Sequence, residues 1–172
     1  MSKRQLIKFI KECDREELDE QLVDLYNRFK EVKEFYDFSF NPNEKKRVED
    51  AKLKISREYF PDGKRRAKKR RSVAQKQIEY LKKLEIEPSQ LIDLMLYNIE
   101  IAQLYNEGRP ILQEAFYKSM LSSFRKALVY ISQQFLAAEF KARVWRIKKV
   151  AIDQKWINAT AFQIAIDELL KD

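Results

Sequence analysis

At 172 residues the chain has the length of one ordinary domain, and 45% apolar with 36% charged residues is the balance of a folded protein, not of a disordered one. Two glycines, where average usage would supply about twelve, leave almost no raw material for phosphate-cradling loops or hairpin turns, and the absence of histidine removes the commonest general base and nitrogen ligand for metals. The net charge of +8 is concentrated in one run, Lys64-Arg65-Arg66-Ala67-Lys68-Lys69-Arg70-Arg71, with seven cations in eight residues; the remainder of the chain is close to neutral.

Apolar residues recur at three- and four-residue spacing throughout and period-two alternation is nearly absent, so the chain reads as all-α, a single compact multi-helix bundle or layered helical array of about eight helices spanning 1–172. The first helix covers about Lys3 to Glu12. Asp14 and Glu17 make a capping-box start for a second, whose Leu18, Leu22, Leu25 and Phe29 form a stripe that reads as a core seam. Six aromatics between Tyr26 and Phe40 then precede an Asn41-Pro42-Asn43 break.

The next helix, about Glu44 to Tyr59, places Val48, Ala51, Ile55 and Tyr59 inward and ends at Phe60-Pro61-Asp62-Gly63. Residues 61–71 read as a basic loop. Lys, Arg and Ala favour an added helical turn while mutual repulsion opposes it, and the balance points to a mobile loop. Ser72 to Gln75 reads as a capping box for a helix with Ala74, Ile78, Leu81 and Leu84 inward.

Glu87-Pro88 opens, and Gly108 closes, the most hydrophobic helix, which is expected at the centre. Asp93, Glu100, Gln103 and Glu107 form its one polar strip, and Asn98 falls on the opposite, apolar side, where it needs partners. The longest helix is expected over about Ile111 to Phe135, with Tyr117, Leu121, Phe124, Leu128, Ile131 and Phe135 along its seam. Two helices finish the chain, about Ala138 to Asp153 and about Asn158 to Leu170.

Among candidate sites, the run Lys64, Arg65, Arg66, Lys68, Lys69, Arg70 and Arg71 is the strongest. Seven adjacent like charges repel in the free protein, and an anionic partner relieves that repulsion. The alternative is a solvated loop compensated by Glu12, Glu16, Asp19 and Glu20, or by the Asp93 and Glu100 strip. A second cluster, Lys141, Arg143, Arg146, Lys148 and Lys149, surrounds Trp145, which could stack on a nucleobase or cover a neighbouring helix beneath lysine stems.

Asp93 and Glu100 could form an acid-base pair or a metal site, but partnering by Lys or Arg from another helix is the stronger reading. Cys13, the lone cysteine, excludes an internal disulfide, fits a reducing compartment, and reads as a buried small apolar residue. Nothing reaches the length of a membrane span, and the N-terminus lacks the apolar run of a signal peptide, so the expectation is a cytoplasmic protein.

Leu25-Tyr26-Asn27-Arg28-Phe29-Lys30, Val32 to Phe38, Asn41-Pro42, Lys54-Ile55-Ser56, Glu58-Tyr59-Phe60-Pro61, Arg71 to Lys76 and Leu96 to Glu100, in that order, resemble an uncharacterised family of small helical bacterial proteins, a domain of unknown function. The resemblance spans most of the chain and implies a bacterial cytosolic single-domain protein, with no functional residue carried over. The residues themselves point to non-enzymatic binding of an anionic macromolecule, most plausibly RNA or DNA without strong sequence preference, through 64–71 with help from Lys141, Trp145, Lys148 and Lys149. No cofactor, metal, membrane or small-molecule substrate is indicated. The alternative is a protein-interaction module that docks a partner chain in a helical groove or at the aromatic corner.

Overall fold

The structure, a computed structural model, describes residues 2–170. Among them lie nine α-helices and no strand: α1 (Lys3–Glu12), α2 (Arg15–Arg28), α3 (Lys30–Phe40), α4 (Glu44–Tyr59), α5 (Arg71–Lys83), α6 (Pro88–Gly108), α7 (Glu114–Gln133), α8 (Ala137–Asp153) and α9 (Ala159–Leu169). The chain divides into two compact units, Met1–Asn43 and Glu44–Asp172.

The first unit holds α1 to α3. The capping box at Asp14 forms as its spacing predicts: the Asp14 carboxylate accepts from Glu17 N–H at 2.9 Å, and Glu17 accepts from Asp14 N–H at 3.0 Å. The helix count exceeds the expected eight because Phe29 adopts an extended backbone (φ −116°, ψ 114°) that splits the segment into α2 and α3. Tyr26 then donates to Asp37 at 2.6 Å across the two helices. The predicted core seam fails: Leu22, Leu25 and Phe29 stay 41–49% exposed, and Phe38 is the one buried side chain among this unit's described residues. Cys13 is half-buried at the end of α1, not enclosed. Desolvation, then the carboxylates of Glu17, Asp14 and Glu12, push its thiol up, toward the unreactive form.

The second unit is built around α6, which packs on α4, α5, α7 and α8, while α9 closes over α7 and α8. Its centrality follows from composition: Leu91, Ile92, Leu94, Leu96, Ile99 and Ala102 are all but inaccessible, as a helix apolar around most of its circumference requires. At about 25 cal/mol per Å² of apolar surface removed from water, such a helix supplies much of the driving force for folding. Val48, Ala51, Ile55 and Tyr59 of α4 bury as their spacing predicts, as do Phe140, Val144, Ile147 and Ala151 of α8.

A polar chain ties the C-terminal end of α6 to the connectors beyond it. Asn106 accepts from Ile111 N–H at 2.9 Å and donates to Gln154 at 3.0 Å; Trp156 Nε1–H donates to Gln154 at 2.8 Å; Gln154 donates to the Gln103 carbonyl at 3.0 Å. Ile111 is therefore held in the connector, α7 starts at Glu114, and the longest helix is α6 with 21 residues. Phe135, expected on the inner seam, instead lies beyond the end of α7 at φ 58° and is 93% exposed. The Trp156 ring packs edge-on against Phe116, Tyr117 and Phe162, fixing the turn between α8 and α9 in the core.

Candidate nucleic-acid interface

Residues 61–70 form an irregular connector between α4 and α5, so the basic segment is a loop, with Arg71 opening α5. Both of its ends are fastened to the last turn of α4. Asp62 pairs with Arg57 at 3.0 Å on the way out. On the way back, the buried Glu58 carboxylate takes Arg70 in a two-pronged contact (Nη2 at 2.7 Å, Nε at 3.0 Å) and accepts from Arg70 N–H at 3.1 Å, while its own carbonyl accepts from Lys69 N–H at 2.9 Å. The Arg70 hydrogen bond, against an opposing desolvation, holds the Glu58 carboxyl below its usual value.

This anchoring divides the seven cations. Arg70 is structural. Arg71 donates to the Ala115 carbonyl at 3.2 Å, and the Lys69 ammonium lies 5.5 Å from the Tyr105 ring centre, with Lys69 itself at φ 53°. Lys64, Arg65, Arg66 and Lys68 are exposed, with no ion pair or hydrogen bond to any described side chain. Of the carboxylates suggested as compensation, Glu12 pairs with Lys8 and Asp19 with Arg15. Glu58, the carboxylate that does meet the run, is hidden from sequence reasoning because it lies twelve positions from Arg70 within an ordinary helix pattern. The predicted capping box at Ser72 does not form; the N-cap lies two residues earlier, at Arg70, whose own N–H is held by Glu58.

A cleft of about 650 Å³ opens where the loop meets α5 and α7, lined by Lys68, Arg71, Ser72, Lys118, Ser119 and Ser122. It adjoins a groove of about 830 Å³ between α5 and α7 whose floor is Leu91, Met95 and Asn98 of α6. Asn98 is 4% exposed, and no described group hydrogen-bonds its side chain, leaving its amide turned to the groove.

The second basic cluster is differently occupied. Lys148 sits 4.4 Å over the Trp145 ring, which is 38% exposed, and also donates to Gln163 at 3.0 Å; Lys149 pairs with Asp153 at 2.7 Å; Lys141 has a partner of its own. The Lys148 ammonium over Trp145 is a cation–π contact on a ring that stays exposed. The two clusters attach to opposite sides of α6, whose Leu91, Met95 and Asn98 line the groove with α5 and α7 while Asp93 and Glu100 meet α8.

Asp93 and Glu100 are ion-paired, as the stronger sequence reading holds. Arg143 grips Glu100 through Nε and Nη2, both at 2.7 Å, and binds Asp93 through Nη1; Lys52 of α4 reaches Asp93 at 2.7 Å. Burial would raise the Asp93 carboxyl, but Lys52 and Arg143 outweigh it and hold the group below its usual range. A carboxylate kept ionised by two cations is a poor general base and an occupied ligand.

Fold and surface together define an all-helical protein with a clamped basic loop, no cluster of metal-ligating side chains among the described residues, and no described helix long and apolar enough to cross a membrane. The chain belongs to a family of unknown function (DUF6155), whose model matches residues 1–169. No curated protein and no solved structure matches it.

Proposed function

We propose that this protein is a non-enzymatic binder of nucleic acid, RNA or DNA without strong sequence preference, working in the bacterial cytoplasm. The observation that carries the reading is the display of Lys64, Arg65, Arg66 and Lys68, exposed and unpaired, on a loop whose two ends are tied to one helical turn. Such a loop presents its charges together at a reduced ordering cost on binding. Phosphates neutralise them with release of condensed counterions, a sequence-independent gain. The Trp145 cluster is not needed for this reading, because Lys141, Lys148 and Lys149 already have partners.

Titration of labelled single-stranded and duplex oligonucleotides at several salt concentrations tests it. Four contacts give a slope of log K against log salt of roughly −3 for single strands and roughly −4 for duplex. Changing Lys64, Arg65, Arg66 and Lys68 together to Ser abolishes binding, whereas changing Lys148 and Lys149 leaves it within about twofold of wild type. Binding that survives the loop substitutions with its slope intact refutes the assignment.

A further inference from the structure

Three features converge in the cleft between the basic loop, α5 and α7. The first turn of α5 carries no side-chain cap, so the N–H groups of Arg71 and Ser72 and the positive end of the helix dipole stand at the cleft wall. Ser119 on the facing helix is only 8% exposed, yet its hydroxyl has no hydrogen-bond partner among the described residues. A helical serine commonly donates to the carbonyl four residues back, as Ser39 does to Phe35 at 2.9 Å; Ser119 does not, and its oxygen is left open to the cleft. Lys68, Arg71 and Lys118 supply positive charge.

The nearby carboxylates do not cancel that charge. Glu58 is taken up by Arg70. Glu114 pairs with Lys118 at 2.7 Å, but both side chains are largely in water, where such a pair is worth at most about 1 kcal/mol, so Lys118 exchanges partners readily. Arg71 spends one of its five N–H donors on the Ala115 carbonyl and keeps the others.

We propose that this cleft seats one phosphate group of a bound strand. The Ser119 hydroxyl and the first-turn N–H groups of α5 donate to the phosphate oxygens, and Lys118 and Arg71 balance the charge. The source of the phosphate rests on the nucleic-acid reading above; the seat itself rests on the cleft. It lies where the loop returns to α5, so it would fix the register of a strand that the exposed loop holds only by charge.

The test uses the full chain with Ser119→Ala, Ser119→Thr and Lys118→Ser, probed with labelled oligothymidylate and, separately, with inorganic pyrophosphate. A lost hydroxyl donor removes affinity without releasing fewer counterions, whereas a lost cation does both. Ser119→Ala is expected to weaken oligothymidylate binding about five- to tenfold at unchanged salt slope, with Ser119→Thr restoring it. Lys118→Ser is expected to weaken binding and make the slope shallower by about 0.7. Both keep the wild-type melting temperature, since neither breaks an interior bond, and if Ser119→Ala melts early the Lys118→Ser slope decides. Pyrophosphate is expected to compete with the strand in wild type and to lose most of its effect in Ser119→Ala. Strand binding unmoved by Ser119→Ala, with an unmoved Lys118→Ser slope, overturns the seat and leaves the loop reading intact. Ser119-dependent binding of pyrophosphate with no strand binding keeps the seat and removes the nucleic-acid reading.

Discussion

Asn98 and Arg143 present opposite accounts of a polar group in an interior. The Asn98 side chain is 4% exposed and has no described partner, but its amide opens onto the groove between α5 and α7 and keeps its access to water. Arg143 is saturated, and Arg143→Met leaves Asp93 and Glu100 facing each other without their shared cation. With the side chains still 22–31% exposed, that loss is expected to cost about 2–3 kcal/mol in urea titrations at pH 7. Its pH dependence has a definite sign. Because the folded Asp93 carboxyl lies below its unfolded value of about 3.9, the clamp contributes fully above about pH 5 and is lost as pH falls through the folded value. The gap between wild type and Asp93→Asn is expected to be constant from pH 6 to 8 and to narrow as the pH falls below the unfolded value of about 3.9; a gap that widened in acid would contradict the clamp.

At the scale of elements, glycine scarcity shows at the helix ends. α7 and α8 both terminate in paired bonds of the Schellman type: Leu136 N–H to Ile131 and Phe135 N–H to Ser132 in one, Trp156 N–H to Ala151 and Lys155 N–H to Ile152 in the other, all at 2.9 to 3.1 Å. The left-handed position that glycine normally fills is occupied by Phe135 (φ 58°) and Lys155 (φ 54°), at a steric cost of about 1 kcal/mol each. Lys155→Gly is expected to raise Tm by about 2 °C, read by circular dichroism, since the exposed Lys155 side chain makes no described bond to lose. An unchanged or lowered Tm would show that the lost flexibility of the unfolded chain outweighs the relieved strain. The loop between α4 and α5 follows the same logic of fixed ends. Its placement depends on Glu58, so Glu58→Gln is expected to loosen residues 63–70 toward limited proteolysis while the helices keep their circular dichroism signal.

Over the whole molecule, burial is unevenly shared. The second unit contains the continuous apolar interior around α6, whereas the first buries Phe38 alone among its described residues. Local opening free energy follows buried apolar contact, so amides of α1 and α2 are expected to exchange with deuterium orders of magnitude faster than those of α6 and α7. Equal protection in the two units would require stabilisation that the burial pattern does not account for. Helix identity, the inward faces of α4, α6 and α8, the bounds of α6, and the exposed loop at 61–70 were all legible in the residues, because spacing, capping and proline or glycine punctuation act within a few positions of where they are read. The tertiary structure alone decided that Glu58 captures Arg70, that Arg143 and Lys52 claim Asp93, and that Ser119 faces Arg71 across a cleft. Those pairings join residues 12 to 50 positions apart, and a charge or hydroxyl carries no mark of its distant partner until the apolar faces have packed and brought the two together.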